Sequence, residues 1–195
     1  MVSGAVLAGG KSKRFGEDKR FFKIGENTLL EIACEKIRKN FDKRYLAVDQ
    51  NFSLEIPDFI LVRDKICGKG PLIGIYSVLC SIEEDGCVFI PIDMPFLSDE
   101  IIKYISTFCE FDAVYLKYNE KIYPLPGYYS KKIIALIEKQ FELGDFSIKS
   151  LLLKIEGKME LNESKIAKFG NLSHLLLNIN DKSDLKFLKT NDGGK

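Results

Sequence analysis

The sequence predicts an α/β protein built as a three-layer sandwich, with a mostly parallel sheet covered by helices on both faces. Short apolar runs alternate with amphipathic stretches over roughly the first 117 residues, which is the pattern of strands joined by helical crossovers. The run Cys87–Ile90 is apolar throughout, as expected for a strand buried on both faces. Strand, helix and strand at this spacing favour right-handed parallel crossovers.

Most of these elements carry a local signal. Thr28 and Glu31 have the spacing of a capping box, which predicts a helix that extends to about Asn40. Ser98, followed by two acidic residues, is a helix N-cap. The predicted strands are 5–7, 43–48, 59–62, 87–90 and 113–116, and the predicted helices between them are 28–40, 72–82 and 98–108.

The alternation is less regular beyond Lys117. Prolines among aromatic residues at 121–129 predict an irregular segment or a hairpin. Helices are predicted at 131–141, 147–155 and 182–188, and a strand at 175–180 that leaves Asn178 and Asn180 at its carboxyl end. One domain over residues 1–190, with 191–195 as a frayed tail, accounts for the chain.

Composition sets broad limits on function. The chain has 195 residues, 46% of them hydrophobic, and a net charge of +1, so a nucleic-acid or membrane surface is not expected. No apolar run approaches the ~20 residues of a membrane-spanning helix. The N-terminus lacks a charged leader before an apolar core, so we expect a cytoplasmic protein. The chain has five cysteines and no C-x-x-C pair, so we expect reduced, mostly buried thiols. His174 is the single histidine and cannot anchor a histidine-based metal site, so we expect it to have a structural role.

The stretch from Leu7 to Lys19 carries the strongest functional signal. An apolar strand runs into Gly9 and Gly10, whose backbone can approach a ligand closely. Cationic side chains are crowded into the same stretch, at Lys11, Lys13, Arg14 and Lys19. A glycine turn with cations after a strand predicts a phosphate cradle. The spacing matches neither the P-loop nor the G-x-G-x-x-G pattern.

Polar residues follow several predicted strands at the point where each strand ends. They are Gly9, Gly10, Asp49, Asp64, Asp93, Asn178 and Asn180. Because ligands of parallel α/β sheets bind beyond the carboxyl ends of the strands, we expect these residues to share one edge. Asp93, stiffened by Pro91 and Pro95, is the predicted Mg²⁺ ligand. Mg²⁺ beside a triphosphate needs only one or two protein carboxylates.

The stretch Leu7–Lys19 meets every fixed position of the signature L-A-G-G-x-S-x-R-x-G-x-D-K and resembles the molybdenum cofactor guanylyltransferases. Further blocks are similar to the same family in the same order. Asp64 with Gly70–Ile75 is similar to D…G-P-L-x-G, Ile92–Pro95 to D-x-P, and Leu177–Asn180 to N-[VI]-N. The resemblance therefore extends over nearly the whole chain.

The resemblance implies a Rossmann-like fold of the nucleotide-diphospho-sugar transferase type, with residues 1–190 as a single nucleotidyltransferase domain. It implies transfer of GMP from Mg-GTP to the phosphate of molybdopterin or its molybdenum-loaded form, with release of pyrophosphate. Transient contact with molybdoenzymes or their chaperones is implied as well. The implied catalytic residues are Arg14, Lys19 and Asp93, with Mg²⁺ on Asp93. The implied GTP-binding residues are Leu7, Ala8, Gly9, Gly10, Lys19, Asp49, Asp64 and Asp93, and the implied acceptor-binding residues are Asn178 and Asn180.

The preference for guanine or cytosine nucleotides is inferred from a comparison with related CTP-using transferases. These often carry L-A-A-G where this chain has Leu7–Gly10, and P-K where it has Asp18 and Lys19. Gly9 permits closer backbone approach, and the added acid Asp18 can accept from guanine N1–H and N2–H₂, which favours GTP. Phe15, Asp49 and Tyr123 depart from the family's common methionine, asparagine and histidine. Three alternatives stay open. They are a same-fold transferase that uses CTP or another phosphorylated acceptor, a non-catalytic GTP-binding subunit that delivers cofactor, and RNA binding through the basic loop.

Overall fold

The computed structural model describes residues 2–9, 18–180 and 184, and nine strands lie between Val2 and Leu161 in this part of the chain. The strands are β1 (Val2–Leu7), β2 (Lys23–Ile24), β3 (Asn27–Thr28), β4 (Arg44–Val48), β5 (Ile60–Arg63), β6 (Gly86–Pro91), β7 (Ala113–Tyr118), β8 (Lys121–Ser130) and β9 (Lys158–Leu161). Seven of them form one sheet in the order β5-β4-β1-β6-β8-β7-β9, and β2 and β3 form a separate small ribbon.

The large sheet is mostly parallel. β1 pairs in parallel with β4 and β6, β4 pairs in parallel with β5, and β9 pairs in parallel with β7. β8 lies between β6 and β7 and runs antiparallel to both. The carboxyl ends of the parallel strands and the first residues of β8 therefore meet at the same edge of the sheet.

Helices cover both faces of the sheet. They are α1 (Leu29–Asn40), α2 (Pro71–Leu79), α3 (Asp99–Ser106), α4 (Ile134–Glu142), α5 (Ile148–Lys154), α6 (Glu163–Ile166) and α7 (Leu172–Leu175). Consecutive residues of β1 belong to opposite cores: Val6 packs with α1 and α3, whereas Ala5 packs with α2, α4 and α5. This division confirms the predicted three layers and explains why the central strands are apolar throughout.

The predicted helix caps are present. The Thr28 hydroxyl accepts from the Glu31 N–H at 3.2 Å, and the Glu31 carboxylate accepts from the Thr28 N–H at 2.7 Å. Ser98 Oγ accepts from the Ile101 N–H at 3.3 Å at the start of α3. The helix predicted to follow Pro71 begins at Pro71 itself and ends at Leu79, three residues earlier than expected. These caps satisfy backbone donors that the first helical turn cannot.

The strand predicted at 175–180 is wrong. The helix α7 ends at Leu175, and residues 176–180 have no regular secondary structure. The Leu176 N–H donates to the Leu172 carbonyl at 2.9 Å. Leu172 and Leu176, one helical turn apart, are both buried in the core beneath α1 and α3, so the leucine run follows a helical rather than an alternating period.

The remaining predictions for the C-terminal half have mixed outcomes. The hairpin reading of 121–129 is confirmed, since β7 and β8 are joined through Asn119 and Glu120, both with positive φ. Strand β9, in which only Leu161 is fully buried, was not predicted. The helix predicted at 182–188 and the tail at 191–195 lie outside the described residues, apart from Asp184.

All five cysteines are described and none forms a disulfide. Cys34 and Cys87 are buried, but Cys67 and Cys109 are exposed in connecting segments, so the expectation of mostly buried thiols is wrong for these two. The His174 ring packs on Phe96 with a centroid distance of 4.4 Å. Within the described ranges, no helix is long and apolar enough to cross a membrane.

Candidate active site

A cleft of about 980 Å³ lies at the edge of the sheet where the parallel strands end. Its lining includes residues that directly follow β1, β4, β5 and β6, and the first residues of the antiparallel β8. The size suits a nucleotide-sized ligand. Of the residues predicted for the site, the cleft brings together Leu7, Gly9, Lys19, Asp49, Asp64, Asp93 and Asn178.

The end of β1 forms one wall of the cleft. The Ala8 N–H donates to the Ala47 carbonyl at 2.9 Å, which extends the β1–β4 pairing by one residue and buries Ala8. A Cβ at Gly9 would lie 2.9 Å from Asp64 Oδ2, so a side chain at Gly9 would displace that carboxylate. Gly10 and Arg14, both predicted site residues, lie outside the described part of the chain.

Lys19 and Asp93 meet across the cleft. Lys19 Nζ lies 3.3 Å from Asp93 Oδ2, and the two side chains are 11% and 28% exposed. Lys19 begins a 3₁₀ turn (Lys19–Phe21) that Asp18 caps, and Asp93 follows β6. The Asp93 carbonyl accepts from the Ile179 N–H at 2.8 Å, which anchors the Asp93 backbone. A cation and a carboxylate from distant parts of the sequence thus occupy one point in the cleft.

Asp49 is held on both of its carboxylate oxygens. Oδ2 accepts from Arg20 Nη1 at 2.8 Å, and Oδ1 accepts from the Asn51 N–H at 3.1 Å. The acid proposed for guanine recognition, Asp18, is also occupied, since both of its oxygens accept from Arg20. Arg20 was not predicted as a site residue, because only the fold brings Asp18 and Asp49 to either side of it.

Asp64 lies deeper in the same wall. Its backbone N–H donates to the Val48 carbonyl at 2.9 Å, which fixes the residue at the end of β5. Burial, and secondarily the charge of Asp49, raise the pKa of the Asp64 carboxyl to about 6. Among the described residues, the buried Oδ1 atom of Asp64 has no hydrogen-bond partner. An orphaned buried acceptor in a cleft is a candidate ligand contact.

The two predicted acceptor-binding asparagines are placed differently. Asn178 lines the cleft, and its buried Oδ1 lacks a hydrogen-bond partner within the described ranges. Asn180 is exposed and is not part of the cleft lining; its backbone N–H donates to Asp184 Oδ2 at 2.6 Å. The loss of the predicted strand therefore separates the two side chains.

The opposite wall of the cleft comes from β8 and α5. Tyr123 and Leu125 line it together with the lysines Lys121 and Lys149. The Tyr129 hydroxyl donates to the Pro124 carbonyl at 2.7 Å and holds this bend of β8 in place. Neither lysine was predicted, because a single lysine in a lysine-rich sequence gives no signal.

The side chains of the cleft limit the kind of metal ion that it can bind. Within the described ranges, no group of three or more His, Cys, Asp or Glu side chains could enclose a metal. Asp93 is a partly exposed carboxylate that pairs with Lys19 in the cleft. One carboxylate fits Mg²⁺ that takes its other ligands from phosphate oxygens and water, and does not fit a metal held by protein alone.

The comparisons with known proteins agree with this architecture. Residues 4–159 match the model of the MobA-like NTP transferase domain. The probable molybdenum cofactor guanylyltransferase of Aquifex aeolicus is 33% identical over 182 residues, or 93% of this chain and 87% of the relative. Its counterpart from Geobacillus sp. is 32% identical over 77% of this chain and 80% of its own length.

A solved structure is similar as well. The molybdopterin-guanine dinucleotide biosynthesis protein A of Archaeoglobus fulgidus superimposes with a TM-score of 0.79 and 25% identity, covering 97% of both chains. The chain belongs to the MobA-like NTP transferases and, within them, to the molybdenum cofactor guanylyltransferase family of nucleotidyltransferases.

Proposed function

We propose that this protein transfers GMP from GTP to the terminal phosphate of molybdopterin, giving the guanine dinucleotide cofactor and pyrophosphate. The observation that carries the proposal is the Lys19–Asp93 pair at 3.3 Å within the cleft at the end of β1. The names of the relatives and of the similar structure support the same reaction. Residues 1–190 are proposed to form its single nucleotidyltransferase domain.

The donor nucleotide is assigned to the wall built from β1, β4 and β5. Backbone N–H groups at Gly9 and Gly10 are proposed to hold the triphosphate, with Leu7 and Ala8 shaping the turn and Arg14 adding a bidentate cation. Lys19, buried and directed into the cleft, neutralises charge at the α-phosphate. These groups act by position and charge, because direct in-line transfer of the GMP group needs no covalent intermediate with the protein.

The guanine base is assigned to Asp64 rather than Asp18. Both oxygens of Asp18 and both oxygens of Asp49 already accept hydrogen bonds. Asp64 Oδ1 is buried and has no partner among the described residues, and guanine N1–H or N2–H₂ is proposed to supply its missing hydrogen bond once a rotation of the carboxylate turns this atom toward the cleft. Cytosine lacks this pair of adjacent donors, so the assignment favours GTP over CTP. Asp49 is kept as a proposed GTP-binding residue by its place in the cleft lining at the end of β4, where Arg20 pairs with its carboxylate.

Asp93 is the residue proposed to hold Mg²⁺, which when bound would neutralise charge on the phosphate oxygens. The phosphate oxygen of molybdopterin attacks the α-phosphorus of GTP in line. The new P–O bond forms as the bond to the leaving pyrophosphate breaks, and pyrophosphate takes the electron pair. The chain's own contribution is to hold the two reactants in line and to place Lys19 beside the transferred group.

The acceptor is assigned to the opposite wall. Asn178 Oδ1, buried and without a described partner, is proposed to accept a hydrogen bond from the pterin. Asn180 is kept as an acceptor-binding residue only by the family resemblance, since its side chain does not line the cleft. The exposed cations Lys121 and Lys149 on this wall suit a phosphorylated acceptor.

Turnover with each nucleotide tests the proposal. Purified protein is incubated with molybdopterin, Mg²⁺ and GTP, CTP, ATP or UTP, and the dinucleotide product and pyrophosphate are both quantified. We expect product with GTP, at least tenfold less with the other nucleotides, and none after chelation of Mg²⁺. Product with CTP instead supports the same-fold alternative. Tight GTP binding without product in any mixture supports the cofactor-delivery alternative.

A further inference from the structure

Arg20 connects three separate segments beside the cleft. Its Nη2 lies 2.6 Å from Asp18 Oδ2, and its Nε donates to both Asp18 oxygens at 2.9 Å. Its Nη1 donates to Asp49 Oδ2 at 2.8 Å and to the Ala8 carbonyl at 3.5 Å. The guanidinium lies over the buried ring of Phe52, 4.7 Å from the centroid, and the side chain is only 14% exposed. Because so many contacts fix its position, Arg20 differs from an isolated exposed ion-pair partner, which contributes little.

The bonding partners of Arg20 lie on both sides of residues 10–17 in the sequence. Ala8 comes before residues 10–17 in the sequence and Asp18 comes directly after them, so one guanidinium bonds to the chain on both sides of these residues. Arg20 also lies in the same 3₁₀ turn as Lys19. A planar guanidinium can make these bonds at once, whereas a lysine ammonium cannot reproduce the fork.

The charges of the cleft wall also indicate a role for Arg20 in nucleotide binding. Asp18, Asp49 and Asp64 all line the part of the cleft assigned to the donor nucleotide. Arg20 offsets the charge of two of these carboxylates, which would otherwise repel a polyanion. Its loss would leave Asp49 free to rotate and unpaired on one oxygen.

We propose that Arg20 is a positioning residue for the nucleotide. It fixes the Asp49 carboxylate, bridges Ala8 and Asp18, and offsets the acidic charge of the wall. The inference rests on the proposed function only in that the cleft binds a nucleoside triphosphate. Arg20 acts through Asp18 and Asp49 and need not touch the substrate.

A double-mutant cycle tests the proposal. Arg20→Gln, Asp49→Asn and the double variant are compared with the wild type for nucleotide Kd, KM and kcat, using whichever triphosphate the wild type binds most tightly. We expect R20Q to raise Kd and KM at least tenfold with kcat changed less than threefold, because bonds to two charged groups are lost. In the D49N background the effect of R20Q should shrink by at least threefold.

Two further variants separate charge, geometry and folding. Arg20→Lys keeps the charge and should recover part of the loss, with Kd three- to tenfold above the wild type. Arg38→Gln is a matched control, since Arg38 also pairs with a carboxylate and lies over a ring, Phe59, but does not line the cleft. R38Q should leave Kd and KM within twofold.

The outcomes are distinct. A loss of kcat in proportion to unfolded protein, with KM unchanged, would show that Arg20 is merely structural and overturn the proposal. An equal effect of R20Q in both backgrounds would overturn the link through Asp49. If the wild type prefers CTP, the proposed function fails while the cycle, run with CTP, still decides the role of Arg20. If it binds no triphosphate, both fail.

Discussion

Replacing Asp64 with asparagine should stabilise the ligand-free protein at neutral pH while weakening nucleotide binding. The carboxyl is half-buried beside Asp49, and its Oδ1 has no hydrogen-bond partner among the described residues. Ionising such a group costs free energy, first through burial and then through the neighbouring charge. Asparagine has nearly the same shape and carries no charge.

The magnitude follows from the pKa of Asp64, which is raised from 3.8 to about 6. In the unfolded chain the carboxyl ionises near its ordinary pKa, so between about pH 4 and pH 6 the folded state holds a proton that the unfolded state has released. The unfolding free energy contributed by Asp64 therefore falls as pH rises across this range. Two pKa units correspond to a ceiling of about 3 kcal/mol, and solvent screening of a half-buried group reduces it to ~1–2 kcal/mol.

Urea unfolding of the wild type and Asp64→Asn at pH 4 and pH 7.5, without nucleotide, measures this effect. We expect the difference between the two proteins to grow in favour of D64N by ~1–2 kcal/mol between those values, while D64N raises the KM for GTP at least tenfold. Asp42→Asn, at an exposed position outside the cleft, serves as the control. If D64N is less stable at pH 7.5, or its difference from the wild type is independent of pH, the reasoning about Asp64 is refuted.

Three other predictions concern the cleft and a helix cap. Lys19→Ala and Asp93→Asn should each lower kcat/KM by about 10²–10³ with little change in Tm, and steady-state kinetics with either variant near wild-type rates would contradict their roles. Gly9→Ala should weaken GTP binding at least tenfold, because its Cβ would lie 2.9 Å from Asp64 Oδ2; calorimetric titration checks this, and unchanged affinity would exclude the close approach. Thr28→Ala removes the capping box and should cost ~1 kcal/mol in urea unfolding with an unaltered KM for GTP, so a kinetic defect there would be unexpected.

Much of the fold could be predicted because local signals and burial agree. The capping box at Thr28 and the N-cap at Ser98 mark helix starts that depend on neighbouring residues alone. The central strands are apolar on both faces because helices cover both sides of the sheet. Strand β9 was missed because it lies at the edge of the sheet and only Leu161 is fully buried.

The segment at 175–180 shows where pattern alone misleads. The sequence Leu175–Ile179, three leucines followed by asparagine and isoleucine, is compatible with a strand, but Leu172 and Leu176 are buried one helical turn apart. Ile179 is then held by its bond to the Asp93 carbonyl rather than by a neighbouring strand. A short apolar run cannot be assigned without knowing which face the tertiary structure covers.

The site was predictable where residues follow strands and less so elsewhere. Asp49, Asp64 and Asp93 reach one cleft because parallel strands end at one edge. Arg20 bonds to residues two and 29 positions away, and no sequence spacing indicates such a pair. Those bonds decide which carboxylates already accept hydrogen bonds and which do not. The sequence alone therefore could not show that Asp64, rather than Asp18, is the better candidate for guanine recognition.

A crystal structure of the protein with Mg²⁺ and a non-hydrolysable GTP analogue would show whether the cleft binds GTP as proposed. We expect the α-phosphate beside Lys19, the metal on Asp93, and the guanine edge within hydrogen-bond distance of Asp64 Oδ1. A nucleotide bound outside this cleft, or one whose base faces away from Asp64 while the phosphates avoid Lys19, would contradict this proposal.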